Sequence, residues 1–207
     1  MKFKLKICGM RDLENIERVS ELQPDYLGFI YYQKSPRFIG QHFQMPEIPS
    51  SIKKVGVFVD GTIDLIRNCV KQHSLDFVQF HGNESVETCV SLKQENIGVI
   101  KAFSVYERFD FKVTEPYQPV ADYFLFDTKG KFYGGNAKTF NWDILKNYNQ
   151  KIPFFLSGGI TFEDLRDTIK LKDMNLHAID VNSGVELIPG MKDIEKIKRM
   201  QTNILKY

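Results

Sequence analysis

Two side chains able to move protons close apolar runs far apart in the chain. Cys8 ends Lys4-Leu5-Lys6-Ile7, and Asp127 ends Tyr123-Phe124-Leu125-Phe126. A thiolate removes a proton and a protonated carboxyl group donates one, so the pair suffices for acid/base chemistry if the fold brings them together. From a free pKa of about 8.5, Cys8 needs a polar or electropositive setting for that role. From about 3.9, Asp127 needs desolvation or a nearby negative charge. Each also has a structural reading, since free cysteine packs well in apolar interiors and an aspartate before Thr128-Lys129-Gly130 suits a loop cap.

Near the C-terminus, two glycine turns follow further apolar runs: Ser157-Gly158-Gly159-Ile160 and Asn182-Ser183-Gly184-Val185-Glu186. Backbone N–H groups freed at such turns, with the positive end of a following helix, grip a phosphate without any lysine. Both turns are expected to open helices. Gly158, Gly159, Ser183 and Gly184 are therefore the expected phosphate contacts, and the expected ligand is a small phosphorylated metabolite. Gln79 and His81 flank the end of another run, and Asp180 ends the last one. Asp180 is expected to orient loop amides beside the second turn. His81 reads either as a site residue or as a hydrogen-bonded structural histidine. Arg37 follows Lys34-Ser35-Pro36, where the proline stiffens the approach and the guanidinium fork matches a carboxylate.

These residues need a scaffold that gathers strand ends. Eight apolar runs rich in β-branched or aromatic residues recur, at Lys4–Cys8, Tyr26–Ile30, Lys54–Val59, Phe77–Phe80, Gly98–Phe103, Tyr123–Phe126, Pro153–Leu156 and Ala178–Val181. Helical spacing lies between most of them, as in Leu13, Ile16 and Val19, or Ile63, Ile66 and Val70. Helix starts are marked by Asp12, by Thr62, and by Thr161 three residues before Asp164. The crossovers at 40–50 and 106–120 each carry two prolines and are expected to be irregular. Strand-helix alternation at this rate predicts a parallel sheet. Eight strands in 207 residues favour a closed (β/α)8 TIM barrel over a doubly wound sheet, as a single domain spanning 1–207. In such a barrel the phosphate turns follow strands seven and eight.

With 28 basic and 26 acidic residues, a net charge of +2 gives no reason to expect nucleic-acid or membrane binding. The N-terminal MKFKLKICGM lacks the continuous apolar core of a signal peptide, and no run approaches a membrane span. Three widely separated cysteines do not suggest a disulfide framework. Cys69 and Cys89 fall inside predicted helices and read as packing residues. Of the four histidines only His81 falls at a strand end, so no metal centre is expected. A cytoplasmic protein is the expectation, as monomer or homodimer.

Lys6-Ile7-Cys8-Gly9-Met10, Gly28-Phe29, Ser35-Pro36-Arg37, Val55-Gly56-Val57-Phe58-Val59 and Val78-Gln79-Phe80-His81-Gly82 stand in an informative order. Phe126-Asp127-Thr128, Gly134-Gly135, Lys138-Thr139-Phe140-Asn141-Trp142, Leu156-Ser157-Gly158-Gly159 and Ser183-Gly184-Val185-Glu186, with Gly190 and Lys192-Asp193, continue it. In combination these segments, spanning Lys6 to Asp193, resemble the phosphoribosylanthranilate isomerases, small barrels of the ribulose-phosphate-binding type. Two departures stand out: Gly134-Gly135-Asn136-Ala137 replaces a more glycine-rich loop segment, and Asn182 stands where serine is common.

The resemblance implies an Amadori rearrangement in tryptophan biosynthesis, without organic or metal cofactor. It implies Asp127 as general acid at the ribose ring oxygen and Cys8 as general base at C2. Arg37 then faces the anthranilate carboxylate, and Lys129–Thr139 forms a cover over the site. Two other readings stay open at this point, a non-catalytic phosphometabolite-binding barrel and a histidine-pathway aminoaldose isomerase. The latter chemistry draws on two carboxylates, which Cys8 disfavours.

Overall fold

The computed structural model describes residues 3–128 and 142–204. All eight apolar runs are strands: β1 (Lys4–Ile7), β2 (Tyr26–Ile30), β3 (Lys53–Phe58), β4 (Phe77–Phe80), β5 (Gly98–Ser104), β6 (Tyr123–Asp127), β7 (Phe154–Ser157) and β8 (Leu176–Val181). They pair in parallel in chain order, and β8 returns to pair with β1. That last pairing closes a (β/α)8 barrel and removes the two open edges a doubly wound sheet would leave.

The crossovers follow local chemistry. Helix α1 (Leu13–Glu21) starts where the Asp12 carboxylate accepts the Asn15 N–H, and α2 (Ile63–His73) where the Thr62 hydroxyl accepts the Leu65 N–H. Ser85 caps α3 (Val86–Gln94) in the same way. No helix forms at 40–50, and the crossover containing Pro116 is a 3₁₀ helix, Phe111–Tyr117, because proline cannot donate to an α ladder. The segments Trp142–Asn147 and Glu163–Leu171 are also 3₁₀ helices. At the last of these, the Asp164 carboxylate reaches back to the Thr161 N–H and hydroxyl, both at 2.8 Å, which is half of the expected capping box.

One expectation is corrected at the C-terminus. The second glycine turn opens only a three-residue 3₁₀ turn, Ser183–Val185, followed by a hairpin of β9 (Glu186–Ile188) and β10 (Met191–Lys192) before α4 (Ile194–Ile204). The helix stops because Glu186 is extended (φ −98°, ψ 152°), with its carboxylate tied to Lys192 across the hairpin and to Arg37 in the loop after β2.

A repeat too degenerate to stand out in the sequence emerges at the N-terminal ends of the strands. Asp25-Tyr26, Asp76-Phe77 and Asp122-Tyr123 each begin an even-numbered strand. Each aspartate accepts the backbone N–H of the second residue of the preceding strand (Leu5, Lys54 and Val99, at 2.8–2.9 Å) and returns its own N–H to the same residue's carbonyl. The aromatic residue that follows enters the barrel. Tyr26 and Tyr123 each pack against both Phe77 and Phe155, at ring separations of 5.1–6.0 Å, and the four rings seal this end of the interior. On the outer face, alternate residues such as Phe29, Phe80, Phe124, Phe126 and Phe154 are buried against the crossovers.

Phe126 sits at the centre of that outer layer, fully buried and in ring contact with Phe103, Phe111, Phe124, Tyr148 and Phe154. Phe126→Ala is expected to cost about 3–5 kcal/mol, the usual range for truncating a buried aromatic. Denaturant unfolding measures it, and a loss under about 1 kcal/mol would show that these rings do not act as one packed unit.

Candidate active site

Period-two alternation makes the upper interior polar. Above the inward Leu125 and Ala178 come Asp127 and Asp180, while β1 contributes Lys6 and, one residue past its end, Cys8. Gln79 and His81 take the equivalent places at β4. All lie toward the C-terminal mouth, and the backbone N–H of Cys8 extends the closing seam by bonding Val181 O at 2.8 Å. Gly28 makes room for the thiol, since a Cβ there would fall 2.8 Å from Cys8 Sγ.

The seam also buries a charge pair that sequence reading did not single out. Lys6 has no exposed surface, faces Asp180 in the β1–β8 register, and donates from Nζ to Asp180 Oδ2 at 3.0 Å. Asp180 was expected to orient amides of the second glycine turn. Instead its partner is Lys6, and among the described residues its buried Oδ1 has no hydrogen-bond partner. Burial pushes the Asp180 carboxyl up and Lys6 opposes that shift. Burial pulls the Lys6 ammonium down, but Asp180 and Cys8 outweigh it and hold its pKa above the ordinary lysine value.

Burial likewise pushes the Cys8 thiol above its ordinary value, against the downward pull of Lys6 and Lys192. The electropositive setting is thus present and does not fully offset desolvation. Asp180 adds to the rise at Cys8, and its own titration responds to His81 and Asp127. The cysteine, both aspartates and the histidine therefore share one electrostatic field. With the Gln79 amide nitrogen donating to His81 Nδ1 at 3.1 Å, the imidazole proton falls on Nε2, 3.5 Å from Asp127 Oδ2.

The two glycine turns adjoin. Gly158 (φ +127°) lies over Thr128, where any Cβ would come within 2.8 Å of the threonine backbone, and a Cβ on Gly184 would meet Ile160 O at 2.1 Å. Only glycine permits this approach. Gly159 and Ser183 are exposed beside them.

Arg37, in the loop after β2, is half-buried and held by a bidentate pair: Nε to Glu186 Oε1 at 2.8 Å and Nη2 to Glu186 Oε2 at 2.6 Å. Glu186 also accepts from Lys192 Nζ at 2.7 Å and from Gly190 N–H at 2.9 Å. Lys192 and Glu186 stood in recognised motifs without a role. Their one sequence signal is that charged residues flank the turn that closes the hairpin. The expected cover at Lys129–Thr139, with Gly134-Gly135-Asn136-Ala137, lies outside the described residues. Among the described residues no group of three or more His, Cys, Asp or Glu is arranged to hold a metal ion, and no helix is long and apolar enough to cross a membrane.

This arrangement is a (β/α)8 barrel with titratable side chains gathered on its C-terminal rim, where barrel enzymes place their active sites. Residues 5–203 match the family model described as N-(5'-phosphoribosyl)anthranilate (PRA) isomerase, and the chain belongs to that family. It is 41% identical over 205 residues to the N-(5'-phosphoribosyl)anthranilate isomerase of Parabacteroides distasonis, covering 97% of this chain and 93% of that one. The crystal structure of phosphoribosyl anthranilate isomerase from Thermotoga maritima superposes with a TM-score of 0.85 at 34% identity, over 99% of this chain and 100% of that one. A phosphoribosyl anthranilate isomerase solved in complex with reduced 1-(o-carboxyphenylamino)-1-deoxyribulose 5-phosphate gives 0.83 at 31% identity, with the same coverage.

Two outcomes test this electrostatic account. Lys6→Met strands a buried carboxylate and is expected to cost about 3–5 kcal/mol in denaturant unfolding, with most of it recovered on adding Asp180→Asn. Full stability in the single variant would remove the charge pair from the account. Because burial raises the Cys8 pKa, the thiolate becomes populated only above the pH at which a free thiol ionises, about 8.5. Alkylation of Cys8 by iodoacetamide, located by mass spectrometry, is expected to accelerate with a midpoint above that value. A midpoint below 8 would mean that the two lysines outweigh burial.

Proposed function

We infer that the chain, as a single barrel domain, catalyses the Amadori rearrangement of N-(5-phosphoribosyl)anthranilate to 1-(o-carboxyphenylamino)-1-deoxyribulose 5-phosphate, a step of tryptophan biosynthesis. The observation that carries this reading is the shared field of Cys8, Asp180 and Asp127 at the mouth of a family barrel. Asp127 protonates the ribose ring oxygen and the ring opens to a Schiff base. Cys8 as thiolate then removes the C2 proton, and the resulting enolamine tautomerises to the aminoketone. In the ligand-free protein the thiolate is the minority form, and a thiolate of raised pKa is the stronger base.

The two ends of the substrate set its register. Gly158, Gly159, Ser183 and Gly184 take the phosphate on backbone N–H groups, a reading supported by the close approach of the two turns. Arg37 meets the anthranilate carboxylate with the guanidinium edge that Glu186 leaves open. Gln79 and His81 fix the orientation of Asp127 and line the sugar. Asp180 presents its unpartnered Oδ1 to the substrate while its other oxygen stays on Lys6. Such fixing matters because a misplacement of about 1 Å can cost on the order of a hundredfold in rate. A base that must remain a free thiol suits a reducing compartment, and the three cysteines are free, so we place the protein in the cytoplasm.

The test is turnover of phosphoribosylanthranilate, followed by loss of its fluorescence. Cys8→Ser and Asp127→Asn, each folded as judged by circular dichroism, are expected to lose roughly 10²-fold to 10⁴-fold in kcat. Wild-type turnover in either variant would refute that residue's role, and binding without isomerisation by the wild-type protein would refute the enzymatic reading.

A further inference from the structure

Arg37 does not act alone. Its guanidinium is clamped by Glu186, and a carboxylate so close cancels most of the positive charge it could offer to an incoming anion. Lys192 sits behind that clamp with no exposed side-chain surface. Its three N–H donors are spent on Glu186 Oε1 at 2.7 Å, Asn182 Oδ1 at 2.8 Å and Asn182 O at 3.4 Å. The ammonium therefore has no donor left for a ligand and acts only through its neighbours. Its backbone is fixed independently by buried Asn15, which donates to Lys192 O at 2.9 Å and accepts the Lys192 N–H at 2.8 Å. Burial pulls the Lys192 ammonium below its usual value while Glu186 pulls it back; burial pushes the Glu186 carboxyl up, but Arg37, Lys192 and the Gly190 N–H outweigh it and hold it below the usual carboxylate range.

Arg37 and Glu186 sum to zero, and buried Lys192 returns the cluster to one net positive charge. That charge is available only at the Arg37 guanidinium, the one member of the three with appreciable side-chain exposure, at 20%. The neighbouring Lys196 ammonium donates to the Glu186 backbone carbonyl, and because the residue is exposed its charge is screened by solvent. We propose that Lys192 is a specificity-determining positioning residue: by neutralising Glu186 from behind, it leaves Arg37 with an uncancelled positive charge, and this sets the preference for a substrate whose aryl end carries a carboxylate. The proposal rests on the functional reading above and deepens it, and it gives Asn182 a role as the acceptor that helps seat the buried ammonium.

The experiment compares kcat/KM for N-(5-phosphoribosyl)anthranilate with that for N-(5-phosphoribosyl)aniline, which lacks the carboxylate, in the full-length protein. Lys192 also bears on the Cys8 thiol. Any change in proton abstraction, however, lowers both substrates alike and cancels in the ratio. Lys192→Met is expected to reduce the preference for the carboxylated substrate on the order of tenfold, mainly through KM. Adding Glu186→Gln to it removes the cancelling charge and is expected to restore most of the preference. Glu186→Gln alone, which leaves the buried lysine an acceptor and so keeps the fold testable if Lys192→Met misfolds, is expected to raise the preference above wild type. An unchanged ratio in Lys192→Met, no recovery in the double variant, or a fall in Glu186→Gln would overturn the proposal. Failure of the wild-type protein to turn over either substrate would instead overturn the functional reading beneath it.

Discussion

A lysine without exposed surface facing an aspartate across the closing seam of the barrel is the interaction on which the rest of the site depends. The bond between Lys6 and Asp180 can form only if β8 returns to β1 in the observed register, and that closure also carries Cys8 to the mouth. Burying either charge alone would be costly, and each makes the other tolerable. The pair then sets the field in which the Cys8 thiol sits, with Lys6 pulling its pKa down and Asp180 pushing it up.

Apolar packing and buried charge occupy opposite ends of the barrel. At the N-terminal end, Asp25, Asp76 and Asp122 tie neighbouring strands together, and Tyr26, Phe77, Tyr123 and Phe155 fill the interior. The same end carries the Lys53–Asp76 and Lys93–Asp122 ion pairs. With the floor sealed by rings, the polar upper interior opens in one direction, toward the loops that follow the strands. There the backbone approaches closely at Gly158 and Gly184, and charged side chains are buried in pairs rather than singly.

The hairpin of β9 and β10 adds something a glycine turn running straight into a helix would lack. It extends the chain at Glu186 and folds Lys192 back beneath it, which places two charged residues between the second glycine turn and the loop bearing Arg37. The second glycine turn and the loop bearing Arg37 are thereby connected through a few hydrogen bonds and ion pairs.

The sequence by itself determined the elements and the family. Eight apolar runs, the Asp12 and Thr62 caps, the proline-broken crossovers and the ordered motifs are local signals, and local signals survive in one dimension. Cys8, Asp127 and the glycine turns were legible because their residue types are unusual at strand ends. What only the tertiary structure decided are partnerships between residues far apart in the chain: Lys6 with Asp180, Arg37 with Glu186, and the two-way aspartate clamps between successive strands. A lysine inside an apolar run carries no local mark of being buried, and a carboxylate shows its partner only when the barrel closes. Whether Cys8 sits high or low in pKa was equally beyond the sequence, because it depends on the balance between desolvation, the neighbouring Lys6 and the distant Asp180 and Lys192, which only the closed fold brings to it.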